Sequence, residues 1–353
     1  MRGATQVNII FYCRSPWLAF GSNYEREQDV LELKELLDTV SKRTSDRFER
    51  MPKVEHKSSL DLDSLPVDAK TWHRLDDLVA VFFDLKASTN LETGRRPAST
   101  ASIYDAGVGG VVKILDAFDA DFVDIQGDGG FGLFWGDTRY ERAMCAAISI
   151  RTFSSDFTKK LEKKWPEAPS TGFKVGVASG SILVKKVGLP RHLELQEPVW
   201  AGKPVNYAAK AAQQTDPEDI LVTGSVWDEI ENNDYLAFSC GCENGQPDMV
   251  APSLLWEERT LEKIPDDEQF GQSLKSSWCE IHGEEFCNAI LAGETKRAGV
   301  TEKALHGRNL LASGSIETNE ASKRRRRARE ELRTEFRLEQ AKELRALLEE
   351  LAR

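Results

Sequence analysis

The sequence predicts an α/β fold, an α+β sandwich with helices packed on one sheet, on two observations. Apolar runs rich in β-favouring residues, with Leu78 to Phe83 the clearest, alternate with longer stretches of helical spacing from about residue 78 to residue 222. Glycine-centred turns, at Gly127-Asp128-Gly129-Gly130 and at Gly180, separate short candidate strands. Alternation of this kind lets each apolar face bury itself against the next layer.

Taken in order, residues 1–75 read as an N-terminal extension. Val30, Leu33, Leu36, Leu37 and Val40 share one helix face between Tyr24 and Phe48, and Ser58 to Ala69 is a polar linker containing Pro66. A main domain follows over 76–235. Leu78-Val79-Ala80-Val81-Phe82-Phe83 is apolar without alternation, which suits a strand buried on both faces and ending in Asp84. A polar loop from Lys86 to Ser99 leads to a helix from Ala101 to Phe118. Phe122 to Ile125 and Phe131 to Trp135 flank a hairpin with Asp128 at its tip. A helix from Tyr140 to Leu161, a second hairpin of Phe173–Ala178 and Ile182–Val187 around Gly180, a helix over 205–214 and a strand from Asp219 to Val222 complete the set. Residues 236–312 read as a cysteine-rich appendage. Over 313–353 a basic block, Arg324 to Arg327, precedes a charged helix whose stripe is Leu332, Phe336, Leu344, Leu347, Leu348 and Leu351; it suits docking on the body or a dimerising coiled coil.

A chain of 353 residues with 40% hydrophobic content can bury at least one large core. Its net charge of −11 argues against a general nucleic-acid binder, so no nucleic-acid partner is expected. Ile9 to Tyr12 is too brief for a secretory core, and no apolar run approaches the roughly eighteen residues that span a bilayer. These features predict a soluble cytoplasmic protein without a membrane partner. Its six cysteines are then expected as free thiols or metal ligands.

Asp84, ending a buried strand, and Asp128, at a glycine hairpin tip, form a candidate carboxylate pair. Magnesium and manganese prefer oxygen ligands, and two such ions close together stabilise both the attacking and the leaving oxygen of a phosphoryl displacement. Each Asp also has an ordinary reading as a turn former. Their joint occurrence, separated by a loop, a helix and a returning strand, is more telling than either alone.

Residues 77–230 resemble the catalytic domain of class III nucleotidyl cyclases, which implies helices packed on a mainly antiparallel sheet. Asp84-Leu85-Lys86-Ala87-Ser88-Thr89 resembles the family's metal and phosphate loop, implying that Asp84 and the Leu85 carbonyl bind metal while the amides of Ala87, Ser88 and Thr89 hold phosphates. Gly127-Asp128 is similar to the second metal position, and Val175-Gly176-Val177-Ala178-Ser179-Gly180 to the central strand and its glycine turn. Gly202-Lys203-Pro204-Val205-Asn206-Tyr207-Ala208-Ala209-Lys210 is similar to the stretch in which an Asn orients the ribose and an Arg, one helical turn later, meets the phosphates. Asn206 matches, and Lys210 replaces the Arg, keeping the charge without the bidentate fork. Asn206 also suits a helix cap after Pro204, and Lys210 a solvated helix residue.

The resemblance implies two Mn2+ or Mg2+ ions per site, a nucleoside triphosphate substrate, and a homodimer with the active sites at its interface. At the two base-reading positions stand Asp124 and Val199, so the Lys and Asp of adenylyl cyclases are missing. With the N-terminal extension and the cysteine-rich segment, these departures make the chain resemble the pyrimidine cyclases of bacterial Pycsar antiphage systems. That implies cyclic UMP or cyclic CMP made for a separate effector protein; a guanylyl cyclase and a non-catalytic nucleotide sensor remain as alternatives. Separately, Cys240-Gly241-Cys242 and Cys279-Glu280-Ile281-His282 supply four candidate ligands for a structural zinc ion, with Cys287 in reserve.

Overall fold

A computed structural model describes residues 32–300 apart from 68, 69, 244, 248, 266 and 267. The first 31 residues and the helix expected after residue 313 lie outside the described residues. The chain divides into two units, Met1–Met51 and Pro52–Arg353. In the first, helix α1 (Leu33–Phe48) carries the expected stripe, and Leu33, Leu36, Leu37 and Val40 are all exposed on it.

The second unit is built on a nine-stranded sheet. Its strands are β1 (Lys53–Lys57), β2 (Thr71–Leu85), β3 (Phe122–Gln126), β4 (Gly129–Phe134), β5 (Phe173–Leu189), β6 (His192–Gly202), β7 (Ile220–Thr223), β8 (Trp256–Thr260) and β9 (Phe270–Leu274). They lie in the order β3-β4-β2-β5-β7-β9-β8, with β1 beside β2 and β6 beside β5. Only β1–β2 and β5–β7 pair in parallel, so the sheet is mainly antiparallel, as expected. The helices are α2 (Pro97–Ala117), α3 (Arg139–Lys164), α4 (Lys203–Ala212), α5 (Gly224–Ile230), α6 (Asp234–Ala237) and α7 (Gly283–Leu291). None of the described helices is long and apolar enough to cross a membrane.

Strand geometry sends alternate side chains of β2 to opposite faces. Val79, Val81, Phe83 and Leu85 join a core with Ile103, Val111 and Leu115 of α2 and with Ala143, Ala147 and Ile150 of α3. Leu78 and Ala80 face the other way, with Phe131, Leu133, Ala178 and Ala208 of α4. The apolar run therefore has no polar face because helices cover both sides of it.

Three boundaries differ from the sequence reading. First, β2 starts at Thr71, seven residues before the apolar run, because a bulge between Leu75 and Leu78 absorbs Asp76 and Asp77 without ending the strand. Asp76 lies 2.8 Å from His56 Nδ1 on β1 and accepts from Arg74 Nε at 2.7 Å. Asp77 accepts from Tyr140 Oη at 3.1 Å and pairs with Arg139 at the start of α3. Second, Gly180 does not reverse the chain. Its φ of +146° bends a continuous β5, still paired with Leu78, and the reversal falls between Leu189 and His192, where β6 begins. Third, α2 starts at Pro97, four residues early, since a first-turn proline needs no amide partner. The segment expected as an appendage from residue 236 adds β8 and β9 to the same sheet through β7, and Trp256, Phe270 and Leu274 enter the main core.

One glycine sets the depth of α4. A Cβ at Gly176 of β5 would lie 2.1 Å from the Ala208 carbonyl oxygen and 2.5 Å from the Ala212 amide nitrogen, so the helix backbone rests directly on the strand. Replacing Gly176→Ala forces α4 outward. Thermal unfolding should show a loss of about 1–3 kcal/mol, the usual cost of overpacking; an unchanged melting temperature would show that α4 tolerates the displacement.

Candidate active site at the ends of β2 and the β3–β4 hairpin

Asp84 is the penultimate residue of β2, half-buried and directly opposite Gly129 of β4. The two-residue turn Gly127-Asp128 joins β3 to β4; Gly127 has φ +66° and Asp128 a negative φ, which favours glycine at the first turn position. Gly129 is required on separate grounds. A Cβ there would lie 2.7 Å from the Phe83 carbonyl oxygen and 3.2 Å from Asp84 Oδ1, so only glycine lets the Asp84 carboxylate lie against the hairpin. The ladder thus carries Asp128 to Asp84.

Beyond Asp84 the backbone completes the site. Leu85 is fully buried against the α2–α3 core, leaving its carbonyl as the polar group it offers. Ala87 adopts a left-handed conformation, φ 57° and ψ 27°, uncommon for a residue with a side chain. It opens a short 3-10 turn over Ser88–Glu92 that has no side-chain cap, so the amides of Ser88 and Thr89 start the turn much as anion-binding nests do. Ser88 is buried and Thr89 exposed. The far side of the loop is tied down: Lys86 N donates to the Gly172 carbonyl at 3.0 Å, Thr171 Oγ1 to the Lys86 carbonyl at 2.6 Å, and Lys86 Nζ to Asp216 at 2.7 Å.

The donors are two carboxylates and a carbonyl, all oxygen, which fits Mg2+ or Mn2+ rather than a softer metal. Electrostatics agree. Burial pushes the Asp84 carboxyl above the usual carboxylate range, the Asp128 charge pushes it further, and Lys174, opposite Asp84 on β5, partly offsets both. Lys174 was not singled out from the sequence; only the β2–β5 register, which no local pattern announces, brings it to Asp84.

The remaining candidates fall into two groups. Asp124 pairs with Phe131 in the β3–β4 ladder and so shares the face of Phe82 and Asp84; its carboxylate accepts from Gln126 Nε2 at 2.9 Å. Val199 is exposed on β6, opposite Lys185. The strands bearing Asp124 and Val199 are not ladder partners, yet they meet where Trp200 packs 5.0 Å from Phe122, centroid to centroid. On α4, Asn206 is exposed and its Nδ2 donates to the Gly202 carbonyl at 3.0 Å, so it does not cap the helix by accepting an amide. Lys210, one turn on, sets its ammonium 5.7 Å from the Tyr207 ring centre. Cys240, Cys242, Cys279 and His282 converge in a separate cluster, and Cys287 instead lies beside Cys145, whose Sγ is 3.9 Å from its carbonyl.

Because the folded state raises the Asp84 pKa, ionising this group costs stability. The cost is absent below the unfolded pKa, where the carboxyl is protonated in both states, and it grows as pH rises through the folded value. With no Mg2+ or Mn2+ added, Asp84→Asn should therefore melt above the parent at about pH 7, and the gain should shrink and vanish on acidification. A variant melting no higher than the parent at neutral pH would remove the electrostatic cost assigned here.

No protein-family model matches the chain. A curated uridylate cyclase of Micromonospora echinofusca is 52% identical over 275 residues, covering 77% of this chain and 88% of that protein. A second uridylate cyclase, of Propioniciclava tarda, is 46% identical over 271 residues, covering 76% of this chain and 86% of that protein. Among solved structures, the adenylyl cyclase CyaB of P. aeruginosa aligns with a TM-score of 0.46 at 14% identity, over 58% of this chain and 96% of that one. Half of all aligned positions are identical across most of the length of both chains, and on that measure the chain belongs to the uridylate cyclase family.

Proposed function

We propose that the chain converts UTP to cyclic UMP and pyrophosphate. The 3′ hydroxyl of the ribose gives up its proton to solvent, its oxygen bonds to the α-phosphorus, the bond from that phosphorus to the bridging oxygen breaks, and pyrophosphate leaves with the electron pair. The observation that carries this reading is the juxtaposition of Asp84 and Asp128 across the β2–β4 ladder, in a chain half identical to named uridylate cyclases. Mg2+ or Mn2+ held by Asp84, Asp128 and the Leu85 carbonyl would supply charge stabilisation for the attacking and leaving oxygens.

The protein's own groups do the rest. The amides of Ala87, Ser88 and Thr89 hold the phosphates, and the left-handed Ala87 is the strained residue that turns them toward one point. Lys210 meets negative charge on the phosphates as it spreads in the transition state, with its ammonium oriented by the Tyr207 ring. Asn206 orients the ribose. Asp124 and Gln126 together offer an acceptor beside a donor, complementary to the edge of either pyrimidine, and the names of the relatives tip the choice to uracil over cytosine. A nucleotide sensor would not need two carboxylates kept against their mutual repulsion, which favours the enzyme.

We also propose a symmetric homodimer in which each site joins the Asp84 and Asp128 of one copy to the Asn206 and Lys210 of the other. Support comes from Asn206, which is exposed on α4 with its side-chain amide turned back on the Gly202 carbonyl of its own helix turn. The product would act in the cytoplasm as an antiphage messenger, read by a separate effector protein.

Purified protein incubated with Mn2+ and each of ATP, GTP, CTP and UTP should yield cyclic UMP as the dominant product by mass. Loss of several kcal/mol of charge stabilisation in Asp84→Ala should lower turnover roughly 10²–10³-fold. A purine product, or activity indifferent to this substitution, would overturn the assignment. Equal amounts of Asp84→Ala and Asn206→Ala chains, inactive alone, should recover about a quarter of parental activity, because half of the dimers carry one intact site of two. No recovery in a mixture shown to contain heterodimers would refute the shared site.

A further inference from the structure

Three cysteines and a histidine converge on the far side of the sheet from α4, where α7 packs on α3. Cys240, Cys242, Cys279 and His282 place one donor atom each within 4.8 Å of every other, and Cys242 Sγ lies 3.1 Å from His282 Nδ1. The donors of a tetrahedral zinc site stand about 3.5–3.8 Å apart, given Zn–S of about 2.3 Å and Zn–N of about 2.0 Å, so shifts of about an ångström or less, inward for the wider pairs and outward for Cys242 and His282, suffice.

Each half of the cluster is shaped by its backbone. Gly241 has φ +83°, and a Cβ there would lie 2.4 Å from the Val250 carbonyl oxygen, so glycine alone permits the bend between the two cysteines. The Val250 amide donates to the Gly241 carbonyl at 3.0 Å, and Ser239 and Ser253 pair through the backbone at 2.8 Å, closing the loop behind them. In the other half, the Ile281 amide points at Cys279 Sγ at 3.4 Å, and the Gly283 amide donates to the Cys279 carbonyl at 2.8 Å. An amide directed at the sulfur stabilises the thiolate form that a metal requires. The His282 ring is steadied by Phe286, 5.8 Å away, and its neighbour Trp278 is fixed to α3 through Ser149 at 2.8 Å and Thr152 at 3.0 Å.

We infer that these four residues form a closed structural zinc site that staples the loop after α6 to the start of α7. Binding releases the thiol protons and leaves no open coordination position for substrate. A disulfide accounts less well for the geometry, since it would use two of the sulfurs and leave the histidine without a role. Ligands forty residues apart in sequence, Cys242 and His282, are thereby held together across β8 and β9. The site is independent of the carboxylate pair: sulfur and imidazole select zinc, and oxygen donors select magnesium or manganese.

Full-length protein, purified without a metal-affinity tag, should contain about one zinc per chain by elemental analysis. Cobalt(II) exchanged into it should give the visible bands and sulfur-to-metal charge transfer of a tetrahedral thiolate site. Cys242→Ser should lose nearly all the metal, whereas His282→Cys, which keeps four ligands, and Asp84→Ala, in the other site, should retain it. Zinc far below stoichiometry in the parent protein, or a mass showing a disulfide among these cysteines, would overturn the proposal. The parental metal content decides even if a variant fails to fold.

Discussion

The site depends on one constraint: β2 is locked by hydrogen bonds on both edges from Val79 to Asp84, to β4 on one side and β5 on the other. A register slip of one residue would turn Asp84 into the core and Phe83 out of it. Burial makes that slip costly, because Phe83 is fully enclosed and packs edge-on against Phe173 at 6.1 Å, and removing such a side chain costs about 3–5 kcal/mol. The core on one face of β2 therefore fixes where its carboxylate appears on the other.

That rigidity answers an electrostatic problem. Asp84 is partly desolvated and lies in the field of the Asp128 carboxylate, with Lys174 as a partial offset. An isolated hairpin would relieve the strain by bending away. Here Gly129 lets β4 lie tight against β2, where a Cβ would meet the Phe83 carbonyl oxygen at 2.7 Å, and Gly130 lets it lie tight against β3, where a Cβ would meet the Asp124 carbonyl oxygen at 2.1 Å, so the carboxylates stay together at a standing cost in stability. A divalent cation bound between the two carboxylates would turn the same repulsion into attraction.

The two faces of the sheet carry different work. The face covered by α2, α3, α5 and α7 holds the larger core, with the cysteine–histidine cluster at its margin. The face partly covered by α4 holds Asp84 and Asp124, and it is thinly covered because α4 is only ten residues long and sits directly on β5 at Gly176.

By itself the sequence determined the elements whose pattern is local. The unbroken apolar run ending in Asp84, the Gly127-Asp128 turn, the helical spacing of α3 and the motif of α4 are each set by a few neighbouring residues, so both candidate carboxylates and the Asn206–Lys210 pair are legible as candidates in the sequence. The four zinc candidates were legible as types, because few other side chains bind that metal. Only the tertiary structure decided what depends on pairing. It carried β2 through the acidic bulge at Asp76–Asp77, since His56, Arg139 and Tyr140 receive those charges from elsewhere in the chain. It carried β5 on through the bend at Gly180, where a local reading expects a reversal, because Leu78 still pairs there. It set Lys174 beside Asp84, brought the strands of Val199 and Asp124 together through Trp200, and joined two ligand pairs forty residues apart. The physical reason is common to all of these: register and face are chosen by the partner strand and by burial, and neither is written within the few residues that a local pattern spans.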